Sequence, residues 1–346
     1  MSGVRISATM EAVVCLVPHA IAVETRPTAI RAHDEVLLKI EWAGICDTDY
    51  HIYEGLHPFL NYPRAIGREL SATVVETPAS SRFQIGQHVV INPYVACGIC
   101  HACKIGKPNC CMNIAVLGVH RDGGMCEFIS LTELNLILAD GLTLEEAATV
   151  EFLAIGARAA RRSGVSNGAK ALVVGAGPIG LGVAIFAQIA GAEVTLVDRD
   201  SDRLLLASAA TGIKNTVVAG ADAPTKIMQV SKGDGFEAAF DATGSRASME
   251  QSFAYVAHGG TYVFVDLMKD NITFSDPDFH KREMTLMASR NATAIDFEHV
   301  IASIKSKKGP IAKLLTHRTS PAAVANDLPR WSSDTKGLIR ALVEIS

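Results

Sequence analysis

The chain reads as a two-part α/β protein, a β-rich domain followed by a doubly wound domain built on a parallel sheet. Three observations predict this. Short apolar runs with alternating patterning, separated by turn residues, fill residues 1–153. Strand and helix then alternate regularly through residues 154–294. A length of 346 residues also exceeds what one simple core ordinarily spans.

In order along the first part, the strand-like runs are EAVVCLV, EVLLKIEWAG, SATVVET, HVVINPY and CEFISL. With no long helix among them, they predict an antiparallel, barrel-like domain. Helical period begins at LTLEEAATVEFLAIGARAARRSG. The second part then gives ALVVGAG and a helix, EVTLVDRD and the helix SDRLLLASAA, then NTVVAG, FEAAFDATG and GGTYVFVDL. The last segment, 295–346, ends in the strand-like LIRALVEI and is expected to complete the first domain.

Residues 171–192 carry no charge and have the length of a membrane span. Gly175, Gly177, Pro178, Gly180 and Gly182 interrupt them, so a buried strand, a glycine turn and a buried helix is the better reading. No membrane partner is expected. A hydrophobic content of 49% with 20% charged residues describes an ordinary globular chain, and a net charge of −4 leaves no footprint for nucleic acid. The opening MSGVRISATMEAVV lacks an export profile, and eight cysteines in such a chain point to reduced thiols and a cytoplasmic location.

Four of those cysteines are spaced Cys97-x2-Cys100-x2-Cys103-x7-Cys111. So short a stretch suits the tetrahedral sulfur shell of Zn2+, with Gly98 and Gly106 easing the turns. Four protein ligands leave no open position, so this zinc is structural.

The turn Gly175-Ala-Gly177-Pro178-Ile179-Gly180 follows a strand and opens a helix, and Asp198 ends the next strand. That context makes it a dinucleotide site. Gly175 permits the tight turn, Gly177 lets a pyrophosphate approach the helix N-terminus, and Gly180 lets the helix lie against the sheet. Asp198 is expected to accept the adenosine ribose hydroxyls and to repel a 2′-phosphate, favouring NAD over NADP, a preference that Arg199 softens. Thr243, in FEAAFDATG, is assigned to the same cofactor site.

Together these pieces resemble the zinc-containing medium-chain alcohol dehydrogenase family over essentially the whole chain. The resemblance implies a GroES-like catalytic domain, completed by the C-terminal segment, and a Rossmann domain. GICDTDYH, from Gly44 to His51, is similar to the family's first zinc-ligand motif, and PYVACGICHACKIGKPNCC to its structural-zinc lobe. FSDPDFHKREMTLMASRNAT and LTHR resemble the branch of L-galactonate and L-gulonate 5-dehydrogenases. The implied activity is NAD-dependent oxidation of a secondary hydroxyl of a polyol or aldonate, with a small molecule as the partner and a homodimer or homotetramer as the assembly. Cys46 is implied as a ligand of a catalytic zinc, and Thr48 and His51 as a relay for the hydroxyl proton.

The resemblance breaks at Gly67-Arg68-Glu69, where histidine is expected before the glutamate. Arginine has no lone pair and cannot ligate zinc. Asp47, Phe152, Arg158 and Asp266 also depart from the residues usual at their positions. Cys46, Glu69 and Glu151 remain as three candidate ligands, a sufficient number for catalytic zinc. In one picture Arg68 offsets their charge and the metal survives. In the other the guanidinium sits where zinc would be, and the balance falls on this empty or weakly occupied site. Arg68, Arg158 and His120 are candidates for holding a substrate carboxylate. The competing functions are a nicotinamide-binding homologue without zinc-dependent oxidation, favoured by Arg68, and a zinc-free reductase, disfavoured by the cysteine quartet.

Overall fold

The computed structural model describes residues 6–58 and 60–346. Met1–Arg5, where the stretch without an export profile begins, lie outside the described residues. Contacts divide the chain into one unit of residues 1–151 and 314–346 and a second of residues 152–313.

The first unit opens with β1 (Thr9–Val17), β2 (Ala20–Pro27) and β3 (Glu35–Ile45). A short helix, α1 (Asp47–Tyr53), follows β3 directly. Then come β4 (Arg64–Ala65), β5 (Glu69–Glu76), β6 (His88–Ile91) and β7 (Tyr94–Val95). The lobe that follows holds one turn of helix, α2 (His101–Lys104), and β8 (Ala115–Val116), which pairs with β7. β9 (Phe128–Thr132), β10 (Leu136–Leu138) and α3 (Leu144–Ala148) complete this stretch. Thr143 caps α3 through its hydroxyl, and Glu146 returns a bond to the Thr143 amide.

The helical run after Thr143 is thus two helices, because a turn at Thr149 separates α3 from α4 (Val150–Ser163). The second unit then alternates β11 (Lys170–Val174), α5 (Pro178–Ile189), β12 (Glu193–Asp198), α6 (Ser201–Thr211), β13 (Asn215–Val218), α7 (Ala223–Val230), β14 (Phe236–Asp241), α8 (Arg246–Ser252), β15 (Val256–Phe264), α9 (Asp276–Lys281) and β16 (Thr285–Ala288). Among the described residues, all pairs in this sheet are parallel, in the order β13-β12-β11-β14-β15-β16. The order reverses between β11 and β14, the point where such sheets open a crevice at their carboxyl ends. The uncharged stretch 171–192 is buried strand and helix, and no helix of the described residues is long and apolar enough to cross a membrane. Inside this unit α4 and α5 touch backbone to backbone, because any side chain at Gly156 would collide with Gly182.

α10 (Ala294–Lys305) falls in the second unit, so the chain rejoins the first at Leu314 and not at Ile295. The reason is a buried charge: Asp296, 1% exposed, binds Arg158 at 3.2 Å and Arg161 at 2.8 Å on α4. β17 (Leu315–Thr319), α11 (Pro321–Ser333) and β18 (Arg340–Glu344) then complete the first unit. Its main sheet runs β10-β6-β5-β3-β18-β17, with β9 also paired to β3. Val36, Leu38, Ile40, Leu70, Val89 and Trp331 lie in its apolar core. Every position of β18 but the last is buried, which explains its apolar run and singles out Arg340 within it.

Candidate active site and zinc lobe

The cysteine lobe is built by turns. Gly98 and Gly106 take φ of +74° and +72°, which only glycine adopts without strain, and α2 lies between them. The four sulfurs of Cys97, Cys100, Cys103 and Cys111 lie within 4.8 Å of one another. A tetrahedral shell with Zn–S bonds of about 2.3 Å has sulfurs about 3.8 Å apart. The Cys100–Cys103 and Cys100–Cys111 separations of 3.5 and 3.9 Å bracket that value. Cys111 accepts from the Cys97 and Asn113 amides at 3.2 and 3.3 Å. Backbone N–H bonds from Met112 and Cys103 lower the Cys100 thiol to about 6, and similar bonds lower Cys97. Desolvation and its neighbours' sulfurs push Cys103 up to about 12, as expected where one proton is shared in a crowded sulfur cluster. This donor set fits zinc.

The second cluster gathers at the ends of three adjacent strands of the first unit. β18 pairs with β3 and β3 with β5, with Ala341 opposite Ile45 and Gly44 opposite Glu69. That register brings Arg340, Cys46, Arg68 and Glu69 to one edge. Cys46 caps α1, and Asp49, 1% exposed, ties the corner together. Its carboxylate accepts from the Cys46 amide at 2.9 Å, the Cys46 thiol at 3.0 Å and the Gly67 amide at 3.2 Å. Gly67 has φ of +93° and a Cβ there would lie 2.8 Å from that of Met125, so the chain is fixed just before Arg68.

The structure does not gather Cys46, Glu69 and Glu151 as one ligand set. Glu69, 1% exposed, lies across Gly44 and pairs with Arg340 on the far side of β3. Glu151, fully buried on the first turn of α4, accepts a hydrogen bond from the Tyr94 hydroxyl on β7. Burial works against the Arg68 charge, and the Cys46 and Glu151 groups in its neighbourhood more than offset that and hold its proton firmly. Burial raises the Glu151 carboxyl, against the pull of Arg68, and burial with Asp49 nearby pushes the Cys46 thiol up to about 12. Among the described residues the cysteine quartet is the one His/Cys/Asp/Glu group gathered closely enough for a metal. A catalytic zinc is therefore not fitted by the donors around Cys46.

Thr48 is half-buried in the first turn of α1, and His51 is exposed in its last. Three residues apart, they share one face of the helix. Two candidate carboxylate anchors are otherwise occupied. Arg158 is buried against Asp296, and the His120 ring accepts from the Val116 amide at 3.1 Å, holding a turn. Asp49, Tyr94 and Arg340 were not singled out by sequence reasoning. The available signal was Arg340 itself, a charge inside the apolar run LIRALVEI, which must have a partner.

In the second unit, Gly175 has φ of +102°, and a Cβ there would meet the Ala242 carbonyl at 2.7 Å. A Cβ at Gly180 would collide with the Gly175 carbonyl. Gly177 caps α5, a Cβ there would meet the Arg203 guanidinium at an ordinary 3.7 Å, and Pro178 and Ile179 form the first turn. Asp198 closes the turn by accepting from the Ala176 amide at 2.7 Å and the Asp200 amide at 2.9 Å. Arg199 is exposed beside it. Thr243 donates its hydroxyl to Asp241 at 2.6 Å, and Asp266 lies over Gly244.

Two protein families match this chain. The alcohol dehydrogenase GroES-like domain matches residues 32–140, and the zinc-binding dehydrogenase domain matches residues 178–306. An L-galactonate-5-dehydrogenase of Escherichia coli K12 is 38% identical over 336 residues, 97% of this chain and 99% of its own length. The crystal structure of an alcohol dehydrogenase from Escherichia coli CFT073 in complex with NADH has a TM-score of 0.92 at 25% identity, covering 98% of this chain and 100% of that one. A putative zinc-binding dehydrogenase from Sinorhizobium meliloti 1021, bound to NADP, has a TM-score of 0.87 at 25% identity, covering 98% and 100%. With a GroES-like unit, a Rossmann unit and a cysteine lobe in one chain, the protein belongs to the zinc-type alcohol dehydrogenase family and is an oxidoreductase of the alcohol and polyol dehydrogenase kind.

Proposed function

We propose that the protein is an NAD-dependent dehydrogenase that oxidises a secondary hydroxyl of a sugar acid or polyol, with Arg68 at its reaction centre where the family pattern has histidine. The observation that carries the cofactor assignment is Asp198, a carboxylate at the end of β12 bonded to the turn that holds Gly175, Gly177 and Gly180. Each of its oxygens accepts one backbone N–H and keeps a lone pair for a ribose hydroxyl. A 2′-phosphate would meet like charge there, which the exposed Arg199 offsets only in part. Pro178, Ile179 and Thr243 line the same cofactor site. The substrate class follows the likeness to the L-galactonate-5-dehydrogenase.

The reaction moves a hydride from the hydroxyl-bearing carbon to the nicotinamide and releases the hydroxyl proton. Thr48 and His51, on one face of α1 with His51 in solvent, form the path for that proton. Zinc in the cysteine lobe organises residues 97–111 and takes no part in the step. None of the eight cysteines is in a disulfide, which suits a reducing cytoplasm, and we assign a homodimer or homotetramer, to be read by light scattering.

The test is NADH formation with a panel of aldonates and polyols, run with NAD and with NADP. Turnover at least about tenfold better with NAD, a difference of about 1.4 kcal/mol, is expected, and Asp198→Ser is expected to narrow it. Tight NADH binding with no turnover on any member would instead favour the second reading, a nicotinamide-binding homologue without alcohol oxidation. Arg68, which stands where the family pattern has histidine and offers no lone pair to a metal, is the observation on that side.

A further inference from the structure

Among the described residues of the second unit, two carboxylates are buried, Asp241 and Asp296. Asp296 faces Arg158 and Arg161. Asp241, fully buried at the end of β14, is held by neutral donors. The Thr243 amide and hydroxyl bond one of its oxygens at 2.9 and 2.6 Å, and the Ser248 hydroxyl bonds the other at 2.6 Å. Burial pushes the carboxyl up, and these bonds oppose the rise. A buried carboxylate is costly where no opposite charge faces it.

Its place in the sheet suggests where that charge comes from. Asp241 pairs with Val174 where the strand order reverses, and Gly175 of the glycine turn comes next. The residues after Asp241 touch that turn. A Cβ at Gly175 would meet the Ala242 carbonyl at 2.7 Å and the Thr243 methyl at 3.2 Å. The Asp241 carbonyl accepts the Val265 amide at 2.9 Å, which ties the end of β15 to the same edge. Asp266 follows, with a carboxylate oxygen 3.2 Å from where a Gly244 Cβ would lie. A sheet of this order binds a dinucleotide across the reversal, one nucleotide to each half. In the proposed function Asp198 on β12 takes the adenosine, which leaves β14 and β15 for the nicotinamide half.

We propose that Asp241 sets the preference of the cofactor site between the two oxidation states of the nicotinamide, its negative charge favouring NAD+ over NADH, with Asp266 adding to the effect. The two forms differ by one positive charge, carried on the nicotinamide ring. Asp241 repels the pyrophosphate of both alike, so that repulsion cancels in the ratio of their affinities. What remains is attraction for the oxidised ring, and a buried charge is screened less than an exposed one. The site then competes better for NAD+ in the presence of NADH and releases the reduced form more readily. This inference rests on the NAD-dependent reading and on no metal.

The test is the pair of dissociation constants, measured by calorimetric titration of the full chain with NAD+ and with NADH. Asp241→Asn removes the charge and keeps the bonds, since its carbonyl still accepts from Thr243 and its amide donates to Ser248. The ratio Kd(NAD+)/Kd(NADH) is expected to rise about fivefold or more over the wild type. A merely structural knot would weaken both forms together, and that unchanged ratio overturns the proposal. Asp266→Asn is expected to raise the ratio about twofold, less because its carboxylate is exposed. If Asp241→Asn does not fold, Asp266→Asn decides alone, and an unchanged ratio again overturns the proposal. A wild type that binds neither form overturns the NAD-dependent reading and this inference with it, whereas binding with an unchanged ratio overturns this inference alone.

Discussion

Glu69 and Arg340 are 1% and 3% exposed, so neither charge can turn to water when the other is lost. Arg340→Leu is expected to cost about 3–5 kcal/mol of stability, because it strands a buried carboxylate. Replacing both residues with leucine is expected to recover much of that loss, since an apolar pair has no charge to strand. Denaturant midpoints of the three proteins decide it, and a double variant as unstable as Arg340→Leu would contradict the account. At this scale the sequence was legible where a residue type forbids a role. Arg68 has no lone pair, and that alone questions the metal. It was illegible where a role depends on a distant partner: Glu69 finds Arg340 271 positions along the chain, and only the register of β18, β3 and β5 brings them together.

At the scale of elements, α5 lies close to β11 because Gly180 has no side chain to strike the Gly175 carbonyl. Gly180→Ala is expected to displace the helix N-terminus and weaken NADH binding by at least about tenfold, measured by fluorescence titration. Unchanged affinity would mean that the turn does not seat the cofactor. The contact between α3 and β17 carries a pH dependence. Bidentate hydrogen bonds from Arg318, at 2.6 and 2.9 Å, hold the Glu145 carboxyl below its ordinary value. A depressed carboxyl stabilises the fold above its unfolded value, about pH 4.3, and that stability is lost as pH falls through the lower folded value. Glu145→Gln is expected to cost at most about 1 kcal/mol at neutral pH, with the difference vanishing in acid. Thermal melts of both proteins across that range check the sign. Strands and the glycine turn were readable because their patterns repeat over several residues. The helix α1 was not, because seven residues of DTDYHIY carry too little period, and Asp49 stabilises it from within.

For the whole molecule, two domains and a cysteine lobe follow from patterning and spacing, and the likeness to known dehydrogenases extends over nearly the full length. The return of the chain to the first unit was harder to place. α10 is tied to the second unit by Asp296, which pairs with Arg158 and Arg161. A buried ion pair of that kind has no signature in local sequence. Among the described residues, Cys97, Cys100, Cys103 and Cys111 are the one group placed to hold a metal, and Arg68 brings no lone pair to a metal beside Cys46. X-ray absorption at the zinc edge of the purified protein reads the shell directly. The account predicts sulfur alone at about 2.3 Å. A shell that also contains nitrogen or oxygen at about 2.0–2.2 Å, from zinc bound beside Cys46 and Glu151, would contradict it.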